Sequence, residues 1–133
     1  MTSPDAPDSP EPDAADLQGL RVLVVEDSWS VGIAVKNLLR SFRAEVIGPV
    51  ATMAEAVGLI AEGVPDVALV DINLRGGELA YDLIDRLHAL GVRIVVTSGD
   101  PEIPLAAGKA AAVLEKPVRE ASLIASLRPA KVR

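Results

Sequence analysis

Arg21-Val22-Leu23-Val24-Val25-Glu26-Asp27 decides the fold: a short, almost wholly apolar run that stops at two carboxylates. Apolar residues without alternation read as a strand buried on both faces, the habit of a parallel sheet. Val67-Ala68-Leu69-Val70-Asp71 repeats the pattern. Two buried strands that each end in carboxylate set negative charges side by side at one sheet edge. That costs free energy unless a cation sits among them. Glu26, Asp27 and Asp71 therefore read as oxygen ligands for a divalent metal.

Strand and helix signals alternate outward from these runs. A helix is predicted over 28–42, with Val31, Ala34, Val35, Leu38, Leu39 and Phe42 on one stripe. A strand over 44–50 is broken by Gly48-Pro49. Thr52-Met53-Ala54-Glu55 is a capping box, and its helix runs to about residue 62 with Ala54, Val57, Ile60 and Ala61 inward. After the third strand at 67–71, residues 73–77 form a loop. A helix over 79–90 faces inward through Leu79, Leu83, Leu87 and Leu90. The fourth strand covers 93–97. A turn or two of helix is expected over 104–108, a fifth strand over 111–115 and a last helix over 119–127. Five strands alternating with helices imply an α/β fold with a parallel sheet covered on both faces. In such sheets the site lies at the carboxyl ends of the strands. Glu26, Asp27, Asp71, Ser98 and Lys116 all fall there.

Composition excludes much else. The chain has 133 residues, half of them apolar, with one Trp, one Tyr and one Phe, so the core is built from Val, Ile, Leu and Ala. The absence of cysteine rules out disulfides and thiolate chemistry. Nothing is apolar for long enough to span a membrane, and the start lacks the basic flank and apolar stretch of a secretory signal. A cytoplasmic protein is expected. Net charge is −6, but five acids and no base lie in residues 1–20, leaving the remainder close to balance. No basic face supports nucleic-acid binding. Residues 1–19 read as a disordered acidic, Pro-rich leader, 20–128 as the single domain and 129–133 as a short tail.

With Val-Val-Glu-Asp at 24–27, Val-Asp-Ile-Asn at 70–73, Ser-Gly at 98–99 and Lys-Pro at 116–117, the chain resembles the receiver domain of two-component response regulators. The resemblance covers about residues 20–128. It implies a flavodoxin-like doubly wound sheet of strand order 2-1-3-4-5 and a Mg²⁺-dependent phosphoacceptor. Asp71 would be the nucleophile. Asp27, Glu26 (through water), Asp71 and the backbone carbonyl of Asn73 would hold the metal. Lys116 would meet a phosphoryl oxygen, and Ser98 would hydrogen-bond the phosphoryl group, with Thr97 the alternative hydroxyl. The Lys116-Pro117 bond would be cis. The implied partners are a histidine kinase or phosphotransfer protein and an unnamed downstream protein. Homodimerisation through the face of the fourth helix, fifth strand and fifth helix is open.

The chain departs from the usual pattern in two places. Val113 stands where many receivers carry the aromatic residue that swings inward on phosphorylation. Ser-Gly-Asp at 98–100 is similar to the Thr-Gly-Tyr run of an atypical subgroup called FAT GUY. Ordering of the 99–112 segment is therefore expected to replace ring rotation. Asp100 and Asn73 would border the path of the hydrolytic water. Trp29 has two readings, packing at a helix start or a docking surface. With no residues left for an output domain, signalling through protein contacts is expected. Two rival classes are a degenerate receiver acting only as a binding module and a metal-dependent phosphatase. The second is weakened by Asn73, which occupies the place of the phosphatases' second aspartate.

Overall fold

The computed structural model describes residues 17–100 and 108–128. Its sheet has five parallel strands: β1 Arg21–Val25, β2 Glu45–Val50, β3 Val67–Asp71, β4 Arg93–Ser98 and β5 Ala112–Glu115. Their order is β2-β1-β3-β4-β5, the flavodoxin-like arrangement. Four helices are described: α1 Trp29–Ser41, α2 Met53–Glu62, α3 Tyr81–Ala89 and α4 Glu120–Leu127. The predicted turns of helix at 104–108 fall almost wholly outside the described residues.

Alternation along the strands divides the core into two layers. Leu23, Val25, Val70, Ile94 and Val96 pack with Ala56, Ile60, Leu83, Ile84 and Leu87 of α2 and α3. Val22, Val24, Val67, Leu69 and Val95 pack on the opposite face with Leu39 of α1 and Leu123, Ile124 and Leu127 of α4. Both faces are covered, which is why β1 and β3 are apolar without alternation.

Side-chain caps set the starts of α1 and α2. The Ser28 hydroxyl accepts from Val31 N–H at 3.4 Å to open α1. At α2 the Thr52 hydroxyl accepts from Glu55 N–H at 3.2 Å. The Glu55 carboxylate reaches back past Thr52 to accept from Ala51 N–H at 3.0 Å, one residue further than the ordinary box.

Several expectations are corrected. Gly48-Pro49 does not break β2. The strand runs through a cis bond there, and its register against β1 jumps between Leu23 and Val25. An edge strand tolerates this, since the missing proline N–H has no ladder to serve. Gly48 is required: its φ is +98°, and a Cβ would lie 2.8 Å from the Val24 carbonyl oxygen. Leu79 and Leu90 are exposed, because Leu79 bridges to Asn73 before α3 begins and Leu90 caps its end. The inward stripe is instead Ala80, Leu83, Ile84 and Leu87. On α2 the buried positions are Ala56 and Ile60, while Ala54 and Ala61 face outward. On α1, Val31 and Ala34 are exposed. Leu17, placed in the leader by sequence, is buried, and its N–H donates to the Phe42 carbonyl at 2.8 Å. Core packing thus includes a residue of the expected leader.

Backbone hydrogen bonds align the strand ends that carry the polar residues. Glu26 N–H donates to the Val50 carbonyl at 2.8 Å, Ile72 N–H to Thr97 at 3.0 Å, and Lys116 N–H to Ser98 at 2.8 Å.

Candidate phosphoacceptor site

Asp71 ends β3 at 3 % exposure, and Glu26 follows β1 at 8 %. The Lys116 ammonium, just past β5, donates to Asp71 Oδ2 at 2.9 Å and lies 3.6 Å from Glu26 Oε2. Asp71 Oδ1 accepts from Asn73 N–H at 3.1 Å, and Glu26 Oε2 accepts from Ser28 N–H at 3.0 Å. The Lys116-Pro117 bond is cis.

Two buried acids share one lysine, and the titration reflects this. Burial pushes the Glu26 carboxyl above its usual range, and the neighbouring Asp71 charge pushes the same way. The Ser28 N–H bond and the Lys116 charge only partly offset them. For Lys116 burial works downward. The hydrogen bond to Asp71 and the charges of Asp71 and Glu26 outweigh it, so the ammonium is held above its ordinary value.

Not every residue singled out by sequence joins the cluster. Asp27 is exposed at the rim. Among the described residues no three His, Cys, Asp or Glu side chains are grouped as a metal site, so the acids that meet are Glu26 and Asp71. Ser98 is fully buried, and its hydroxyl is turned into its own loop. It donates to the Asp100 carbonyl at 2.8 Å and accepts from Asp100 N–H at 2.9 Å. Thr97 points to the other side of the sheet from Ser98. There it lines a cleft with Glu26 and Lys116. Val113 is exposed on β5.

Trp29 is 66 % exposed, which rules out packing at the helix start. It borders a small recess of about 70 Å³ with Glu26, Pro49 and Arg75. Sequence reasoning passed over Arg75 and the backbone N–H of Ser28. A serine directly after two acids and before an apolar stripe is a helix-cap signal, and it would have placed that N–H beside Glu26.

A family model described as the response regulator receiver domain matches residues 22–128. The chain belongs to that family. Solved receivers share the fold. The response regulator PhyR from Brucella abortus is 23 % identical, with a TM-score of 0.68 over 81 % of this chain and 45 % of that one. The chain thus spans about half the length of that PhyR. The receiver domain of Erythrobacter litoralis PhyR is 20 % identical, with a TM-score of 0.70 over 87 % and 98 % of the two chains. SdrG from Sphingomonas melonis Fr1 is 28 % identical, with a TM-score of 0.68 over 81 % and 95 %. No curated protein sequence matches closely enough to count as a relative. Receiver domains are signalling domains that generally bind Mg²⁺ and work with histidine kinases or phosphotransfer proteins and with downstream protein partners. Among the described residues no helix is long and apolar enough to cross a membrane.

Proposed function

We propose that this receiver accepts a phosphoryl group on Asp71 from a histidine kinase or phosphotransfer protein, in the cytoplasm, and signals through protein contacts. The observation that carries the reading is the 2.9 Å bond from Lys116 to a carboxylate only 3 % exposed. A buried aspartate with a cation already on one oxygen is an ion pair ready to exchange its partner for a phosphoryl group.

The donor set fits magnesium. Its atoms are hard oxygens, and two acids share a single lysine, which leaves the cluster with a net negative charge. Asp71, Glu26, Asp27 after turning in from the rim, and the Asn73 carbonyl would hold it. The ion supplies charge neutralisation for the phosphoryl oxygens.

The chain's own groups do the rest. An Asp71 oxygen attacks phosphorus in line, a P–O bond forms, and the bond to the donor's imidazole nitrogen breaks with its electron pair leaving on nitrogen. Lys116 passes from the carboxylate to a phosphoryl oxygen. Ser98 gives up its bonds to Asp100 and donates to another, which frees the Asp100 backbone for the ordering of the 99–112 segment. That coupling stands in for the aromatic switch missing at Val113. Asp100 and Asn73 border the attacking water and tune the lifetime of the phosphoryl group. Incubation with acetyl phosphate and Mg²⁺, read by intact mass, is expected to add one phosphoryl group to the wild type and none to Asp71→Asn. An unmodified wild type would leave only a phosphorylation-independent binding module.

A further inference from the structure

Thr97 is 5 % exposed, and its hydroxyl has no hydrogen-bond partner among the described residues. A buried hydroxyl left unpaired costs on the order of 1–3 kcal/mol. The side chain lies on the floor of a half-enclosed cleft of about 610 Å³ between α1 and α4. Leu69 completes that floor from β3. Ala34, Val35 and Leu38 of α1 form one wall, and Val118 and Leu123 form the wall on the side of α4.

Close-packed interiors leave few voids larger than a water molecule, so a gap of this size beneath two helices is a feature to be explained. Ala34 offers only a methyl where a longer side chain would reach toward α4. The volume falls within the range of about 300–1,000 Å³ typical of small-molecule sites, as does the composition: apolar walls and few polar groups.

The charges at its border select the ligand class. Lys116 and Glu26 are already engaged with each other and with Asp71. Glu120 adds a second carboxylate to the lining. An anionic head would meet two acids, while the group that lacks a partner is a neutral hydroxyl. A partner's helix backbone could not descend to a floor lying beneath two helices, and one inserted side chain would fill only part of the space.

We propose that this cleft is a binding site for a neutral, elongated apolar molecule with a single hydrogen-bonding head, of the alkylphenol or arylamine class, its head on Thr97. The cleft borders the phosphoacceptor cluster through Glu26 and Lys116, but the proposal requires only the Thr97 hydroxyl and the apolar walls, not phosphoryl transfer.

Titration of the full chain with 4-hexylphenol and with hexylbenzene, followed by NMR at Leu69, Thr97 and Leu123, tests it. Both probes are expected to saturate at one equivalent. Thr97→Val, isosteric but without the hydroxyl, weakens the phenol about fivefold and leaves hexylbenzene unchanged. Ala34→Phe fills the cleft and weakens both by tenfold or more, with a melting curve to show that the variant folds and Ala34→Leu as the second filler if it does not. Absence of saturable shifts overturns the proposal, as does binding unaffected by the fillers or a phenol indifferent to Thr97→Val. Shifts at the three residues only on adding a partner protein overturn it in favour of a protein contact.

Discussion

At the scale of single residues, the carboxylates and the lysine were legible because strand ends in a parallel sheet have fixed places. An apolar run that ends in an acid announces where the acid will be. Asp71, Glu26 and Lys116 meet accordingly, at 2.9 and 3.6 Å. Rotamers and loop paths were not legible. Asp27 follows Glu26 directly yet stands out at the rim, and nothing in the residue order sets the direction of its side chain. The Ser98 hydroxyl was expected near the site, but a turn two residues long offers it both a donor and an acceptor on Asp100. Such local bonds are worth about 0.5–1.5 kcal/mol each. Ser98→Ala is therefore expected to speed hydrogen exchange at the Asp100 amide by up to about tenfold, with phosphorylation of Asp71 retained. In the wild type, beryllofluoride, a phosphoryl mimic, should shift that amide as the hydroxyl leaves it. In Ser98→Ala it should not. An Asp100 amide equally protected in both proteins would mean that the turn holds without the hydroxyl.

At the scale of elements, the five strands and four helices among the described residues follow from apolar periodicity, helped at α1 and α2 by caps, and the errors lie at ends and phases. Leu79 falls at helical spacing from Leu83, which by sequence places it in α3. The antiparallel bridge between Asn73 and Leu79 claims its backbone first. Contacts of that kind join distant residues and leave no local mark. The close approach of α1 to β2 was equally hidden. A Cβ on Gly32 would lie 2.9 Å from the Pro49 Cβ, so Gly32→Ala forces the helix off the strand. Overpacking of this sort costs about 1–3 kcal/mol, and the urea midpoint should fall accordingly. An unchanged midpoint would mean that Pro49 yields freely. The α2 cap was visible from sequence, and its pH dependence has a definite sign. Bonds from the Ala51 N–H and the Thr52 hydroxyl hold the Glu55 carboxyl below its ordinary 4.5. A depressed carboxylate stabilises the fold above its unfolded pKa and loses that contribution as pH falls through the folded value. The Ala51 amide resonance should therefore titrate below pH 4.5, and in Glu55→Gln it should be flat. Thr52→Ala should cost about 1 kcal/mol at neutral pH.

At the scale of the whole molecule, α3 and α1 meet the sheet with unequal closeness, and this difference was beyond the reach of the sequence. Apolar stripes on α1 and α2 look alike in one dimension. How tightly each meets the sheet depends on the spacing between helices that are far apart along the chain. On the α2–α3 side, Leu83, Ile84 and Leu87 are fully buried against Val70, Ile94 and Val96. On the α1–α4 side, Val35 and Leu38 are only partly buried and border an open cleft. Truncation on the tight side leaves a cavity that its neighbours cannot fill, so Leu83→Ala should cost about 2–5 kcal/mol. Val35 already faces open space. Val35→Ala loses part of a transfer term with little cavity penalty, and about 1 kcal/mol is expected. Urea unfolding of the two variants, with slopes equal to the wild type, measures the difference directly. Equal losses would mean that α1 and α4 close over the cleft in solution, and the floor at Thr97 would then be sealed.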